Sequence, residues 1–187
     1  MKTQRSLVVL SLLLFTFCIG IFAFDVANAA QRIRKGTGIV PLTANEKATM
    51  IYIREEEKLA RDVYIKMYEL WGATIFSNIS ISEQRHMDAV LKLLVKYGVP
   101  DPVAGKTVGE FTEAFQQIYN DLVSQGQQSL LDAFIVGRAI EEMDISDLQA
   151  AMDETNKVDL DNVYGNLLNG SFNHLDSFNA HIESLTP

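Results

Sequence analysis

Residues 50–71 read MIYIREEEKLARDVYIKMYELW, and residues 76–97 read FSNISISEQRHMDAVLKLLVKY. In both stretches apolar residues return three and four positions apart, the period of a helix with one buried stripe. The first stripe is Ile53, Glu57, Ala60, Tyr64, Met67, Trp71. The second is Phe76, Ile79, Glu83, His86, Val90, Leu93, Tyr97. Each is apolar except near its middle, where Glu57 interrupts the first and Glu83 with His86 the second. A buried lone carboxylate is costly unless it is paired or coordinates a metal, so these interruptions need a cause.

The same pattern extends along the chain. A helix from Thr43 to about Leu70 opens with a Thr43-x-x-Glu46 capping box and stops at Gly72. A second runs from about Ile75 to Tyr97, with Gly98 and Pro100 as stops. Residues 98–114 are a connection rich in proline and glycine, followed by a short helix over Phe115–Val123 that Gly126 closes. A third long helix covers about Ser129–Met152, with the stripe Leu131, Phe134, Arg138, Glu141, Ile145, Leu148, Met152. After the polar turn Asp153–Lys157, a fourth covers about Leu160–Ser184, with the stripe Tyr164, Leu167, Ser171, His174, Phe178, His181. Short links make antiparallel neighbours, and the long link must cross the assembly. The expected fold is all-α: a four-helix bundle with one long crossover and a short extra helix.

Every long helix thus carries potential metal ligands at mid-length on its buried stripe: Glu57, Glu83, His86, Glu141 and His174. Glu83 and His86 are three apart, so both can reach one ion from one helix face. Mixed carboxylate and imidazole donors suit iron, manganese or zinc better than calcium or magnesium. Tyr64 shares the Glu57 stripe and could hydrogen-bond a ligand. Plainer readings stand beside this one. Glu57 could pair with Arg61 on the surface, and Ser80-x-x-Glu83 could be a capping box. His86 could be a satisfied core histidine, Glu141 and Glu142 could be solvated, and His181 reads as a structural residue near a bundle end.

The 187 residues divide into three segments. Residues 1–29 have a basic start, an apolar run from Leu7 to Phe24 and the small-residue site Ala27-Asn28-Ala29, the layout of a cleaved signal peptide. An uncleaved membrane anchor is the alternative. Residues 30–41 read as a linker and 42–187 as one domain. Export would place the protein in the periplasm or outside the cell. The single cysteine, Cys18, lies in the apolar run, so residues 30–187 have no thiolate or disulfide. With 16 basic and 24 acidic residues and a net charge of −8, the chain is unsuited to nucleic acid and suited to cations.

Glu57-Lys58-Leu59-Ala60-Arg61-Asp62-Val63-Tyr64 resembles the first-helix motif Glu-x-x-Ala-Arg-x-x-Tyr of rubrerythrins, within the ferritin-like superfamily. Glu83-Gln84-Arg85-His86 resembles the second-helix Glu-x-x-His of the same proteins. The stretch from Leu42 to Leu185 also resembles a prokaryotic family of ferritin-like domains of unknown function, through Ile140–Leu148 and Gly170–Leu175. The resemblance implies a ferritin-like bundle holding iron as a di-iron or mononuclear site, with Glu57 a terminal ligand and Glu83 a bridge. It implies oxidation of ferrous iron or reduction of peroxide, an external electron donor and pairing into a homodimer. One departure bears on activity: the family's second Glu-x-x-His appears here as Ser171-Phe172-Asn173-His174, so one carboxylate is missing. A non-catalytic metal-binding or sequestration module and a metal-free bundle for protein contacts are therefore the alternatives.

Overall fold

The computed structural model describes residues 40–186, so the expected signal peptide and nearly all of the expected linker lie outside the described residues. The described residues form five helices and no strand: α1 (Ala44–Trp71), α2 (Thr74–Tyr97), α3 (Glu113–Gly126), α4 (Leu130–Glu154) and α5 (Val158–Leu185). None of these helices is long and apolar enough to cross a membrane.

The helix ends follow the local chemistry. Thr43 accepts from the Glu46 amide, and the Glu46 side chain accepts from the Thr43 amide, so the expected capping box is formed. Gly72 (φ 64°) and Gly98 (φ 67°) end α1 and α2 in the left-handed conformation that favours glycine. Ser129 caps α4 by accepting from the Asp132 amide. The breaks are thus at the expected places. The short helix α3 extends two residues earlier and three later than its apolar pattern indicates.

α1 packs on α2 and on α4, and α5 packs on α4 and on α2, so the four long helices enclose one interior. Thr49 near the start of α1 donates to Glu154 at the end of α4, and Lys96 at the end of α2 meets Asp159 at the start of α5. Neighbouring long helices are therefore antiparallel. The interior has two apolar clusters. One gathers Val63, Tyr64, Met67, Phe76, Phe134, Ile140 and Phe178. The other gathers Met50, Ile53, Val90, Leu94, Leu148, Leu160 and Leu167. Between them lies a layer of buried polar residues that includes Glu57, Glu83, His86, Glu141, Asp144, Ser171 and His174.

One stripe per helix does not describe α1. Arg54, Glu55, Glu56, Lys58 and Asp62 are buried as well. The connection between α2 and α3 covers this second face, and the polar side chains bind it. Arg54 forms a two-point pair with Asp101, and Glu55 accepts from the Thr112 amide and hydroxyl. Lys58 pairs with Asp62 and donates to the Thr107 and Glu110 carbonyls, while Asp62 accepts from the Gly109 amide. Loop backbone groups that must be satisfied are met by charged side chains of a helix. Trp71 departs from its expected core position: it is 36% exposed and anchors by donating to the Gly126 carbonyl.

Candidate metal centre

The structure brings all five expected ligands together. Glu83 sits at the middle. Its Oε2 is 2.7 Å from His86 Nδ1, and its Oε1 is 2.8 Å from His174 Nδ1. Each histidine also faces an outer carboxylate: His86 Nδ1 is 3.2 Å from Glu57 Oε2, and His174 Nδ1 is 3.5 Å from Glu141 Oε2. The two rings are inclined at 28° with centroids 5.7 Å apart. Two triads result, Glu57–Glu83–His86 and Glu83–Glu141–His174, with the donor atoms of each within 4.8 Å of one another.

The plainer readings of Glu57, Glu83 and Glu141 fail on contacts, whereas His86, buried and satisfied at Nδ1 by Glu83 and Glu57, also fits that of a satisfied core histidine. Arg61 binds Asp62 and Gln84, so it is not half of a surface pair with Glu57. Ser80 lies inside α2 and donates to the Ser77 carbonyl, so Glu83 is not part of a capping box. Glu141 is buried and accepts from the Tyr64 hydroxyl at 2.6 Å, whereas Glu142 is exposed. His181, read as structural, is exposed and bonds the Ser177 carbonyl through Nδ1.

Room for the site comes from α5. A Cβ on Gly170 would lie 2.6 Å from His86 Nε2, so this glycine serves close packing against the ring. Ser171 is fully buried, and its hydroxyl lies 2.5 Å from Asp144 Oδ2 and 3.0 Å from the Leu167 carbonyl. A carboxylate from α4 therefore stands beside the position where α5 lacks one. Asp144, three residues after Glu141 on α4, is itself buried.

The charges are strongly interdependent. Burial opposes the charged form of Glu83, but the adjacent His174 and His86 imidazoles outweigh it and hold the carboxyl at about 2. Burial also opposes charged imidazoles, yet Glu57 and Glu83 raise His86 to about 11, and Glu141 and Glu83 raise His174 to about 9. Burial and the Glu83 charge push Glu141 up to about 8. Burial and Asp144 push Glu57 well above the ordinary carboxylate range. One anion between two cationic rings, flanked by proton-holding carboxyls, is a charge pattern that a divalent cation can take over.

The donor set fits such a cation. Ligands at about 2.1 Å from a metal stand roughly 3.0–3.4 Å from each other in octahedral or tetrahedral arrangement. The oxygen–nitrogen separations within the triads, 2.7, 2.8, 3.2 and 3.5 Å, bracket that range, the two shortest being hydrogen-bond distances that an ion would widen. Buried Glu57 Oε1, Glu83 Oε1 and His174 Nδ1 lack an aligned hydrogen bond, although the last two are close in space. Such orphaned polar atoms are expensive in a core without a ligand.

A helical bundle crossed by a buried carboxylate–histidine layer is the class that fold and site define. The chain belongs to the family described as uncharacterized protein domain DUF2202, whose model matches residues 46–186. It is 48% identical over 139 residues to uncharacterized protein MJ0754 of Methanocaldococcus jannaschii, which covers 74% of this chain and 75% of that protein. It is also similar to the crystal structure of hypothetical protein MJ0754 from Methanococcus jannaschii. That likeness has a TM-score of 0.77 and 43% identity, covering 81% of this chain and 87% of that one.

Proposed function

We propose that this chain is an exported metal-binding protein on a ferritin-like four-helix scaffold, with two ion positions that share Glu83. The observation that carries this reading is the division of Glu83, each of whose oxygens faces a different histidine with its own outer carboxylate. Glu57 and His86 would hold one ion, Glu141 and His174 the other. Iron, manganese or zinc suits this donor set, and the resemblance to ferritin-like proteins favours iron. A bound redox metal would supply electron transfer to oxygen or peroxide, with ferrous iron or an external donor as the electron source.

The protein's own groups have separable tasks. Tyr64 donates to Glu141 and fixes that carboxylate's orientation, leaving its second oxygen toward His174. Gly170 leaves space for His86. The apolar clusters on both sides keep bulk water from the layer. A second reading, metal binding without catalysis, is favoured by one observation: Ser171 replaces the carboxylate that a second Glu-x-x-His would supply.

The test is metal content and oxygen consumption of the protein expressed from its full-length sequence and reconstituted with ferrous iron, beside Glu83→Ala and His86→Ala. About two irons per chain with oxygen uptake supports the redox reading, and tight but inert iron supports the second. Equal metal content in wild type and Glu83→Ala would sink both.

A further inference from the structure

The five ligands of the candidate centre are unequally covered. Among the described residues, the side chains of Glu57, Glu83 and Glu141 are 1%, 3% and 2% exposed, whereas those of His86 and His174 are each 11% exposed. Both rings turn Nδ1 inward to Glu83, so the edges that reach solvent are the outer ones. Gly170 of α5 stands against both rings. A Cβ there would lie 2.6 Å from His86 Nε2, 2.8 Å from His86 Cε1 and 4.0 Å from His174 Cε1. The glycine is itself half-buried, so the molecular surface comes down to the rings at this point.

The other seams are closed by contacts. Arg61 to Gln84 spans α1 and α2, Tyr64 to Glu141 spans α1 and α4, and Ser171 to Asp144 spans α4 and α5. The connection between α2 and α3 lies over the second face of α1, held by Arg54, Glu55 and Lys58. Apolar clusters fill the interior on either side of the polar layer. Between α2 and α5 the span is Glu83 to His174, two of the ligands themselves, and Gly170 lies beside it. The exposed neighbours of Gly170 on its own helix face are Asn166, four before it, and Asn173, three after it, both uncharged. The Asn173 amide donates to the Asn169 carbonyl at 2.8 Å and is thereby held along α5.

We infer that a divalent cation enters and leaves the centre between α2 and α5, past the outer edges of His86 and His174, where Gly170 leaves them uncovered. The first donors the ion meets are then the two imidazoles that ligate it. The inference deepens the Glu83-centred reading and rests on it for what travels. The opening itself rests on the exposure of two rings and on the glycine against them.

The test covers the opening from a residue that touches no ligand. Asn173→Trp lays a large ring over Gly170, because a helical side chain covers the turn before its own Cα. Asn162→Trp, about 12 Å further back along α5, is the control. Both asparagines are exposed, so neither change disturbs the core. In protein expressed from the full-length sequence, uptake and release of Co2+ are followed by its visible absorption. Asn173→Trp should slow both by at least about tenfold and leave the dissociation constant unchanged, since a barrier alters the two rates equally. Asn162→Trp should match wild type. A second measurement needs no metal. Deuterium exchange at imidazole Cε1, read by mass spectrometry, should be slowed by Asn173→Trp at His86 and His174 and unaltered at exposed His181. Wild-type uptake in Asn173→Trp, weaker binding at an unchanged uptake rate, or unchanged Cε1 exchange would overturn the inference. Absence of Co2+ binding in wild type would instead sink the Glu83-centred reading, and slowed exchange would then leave the opening in place as a solvent route.

Discussion

At Gly170 a hydrogen stands where any other residue would place a Cβ 2.6 Å from His86 Nε2 and 2.8 Å from Cε1. The His86 ring is already fixed at Nδ1 by Glu83 and Glu57, so it has little freedom to retreat. Gly170→Ala should therefore weaken metal binding by about 10–100-fold, the usual cost of disturbing a ligand's support, while the helix itself gains propensity. Metal titration alongside circular dichroism separates the two effects, and unaltered affinity in a well-folded variant would show that the glycine only packs. Ser171 makes a complementary point. Its hydroxyl cannot replace a carboxylate as a donor, but it holds one from the facing helix.

Among the elements, α1 is unusual in being buried on two faces with opposite chemistry. Its apolar stripe and Glu57 face the interior, while Arg54, Glu55, Lys58 and Asp62 secure the crossover. Asp62 is the hub of that second face: fully buried, it meets Lys58, Arg61 and the Gly109 amide. Asp62→Ala leaves the Lys58 ammonium buried without its anion and should cost about 3–5 kcal/mol. Urea denaturation measures this, and a loss under roughly 1 kcal/mol would mean that the carbonyls of Thr107 and Glu110 suffice. The contrast between the two faces explains what could be read from the chain. Glu57, Glu83, His86, Glu141 and His174 were legible because helical phase is local and four stripes were interrupted at matching depth. The burial of Lys58 and Asp62 was not, because it depends on where residues 98–112 come to rest, which no periodicity records. Asp144 lay between these cases, one turn from Glu141 and drawn inward by Ser171 of α5.

For the whole molecule, the buried layer makes stability depend on pH, with a sign that follows from its carboxyls and imidazoles. Glu141 and Asp144 have folded values raised to about 8 and about 7, so their contribution is complete below their ordinary range and disappears as pH climbs through those values. His174 and His86, raised to about 9 and about 11, lose theirs higher still. Glu83, lowered to about 2, acts oppositely and costs stability only in strong acid. Protein kept in chelator should therefore melt highest near about pH 5 and progressively lower toward about pH 9. Excess Mn2+ should raise the midpoint more at pH 8 than at pH 6, since ligation displaces protons. A chelated midpoint that is flat or rising over this range would contradict these charge assignments. The division of Glu83 between two histidines also bears on how this chain can vary. Its neighbours sit on α1, α4 and α5 while it sits on α2, so all four long helices converge on one side chain. Most core positions drift through compensating changes in a single neighbour, but a replacement here would need coordinated change on three other helices at once. A change at Glu83 thus disturbs groups on all four long helices together.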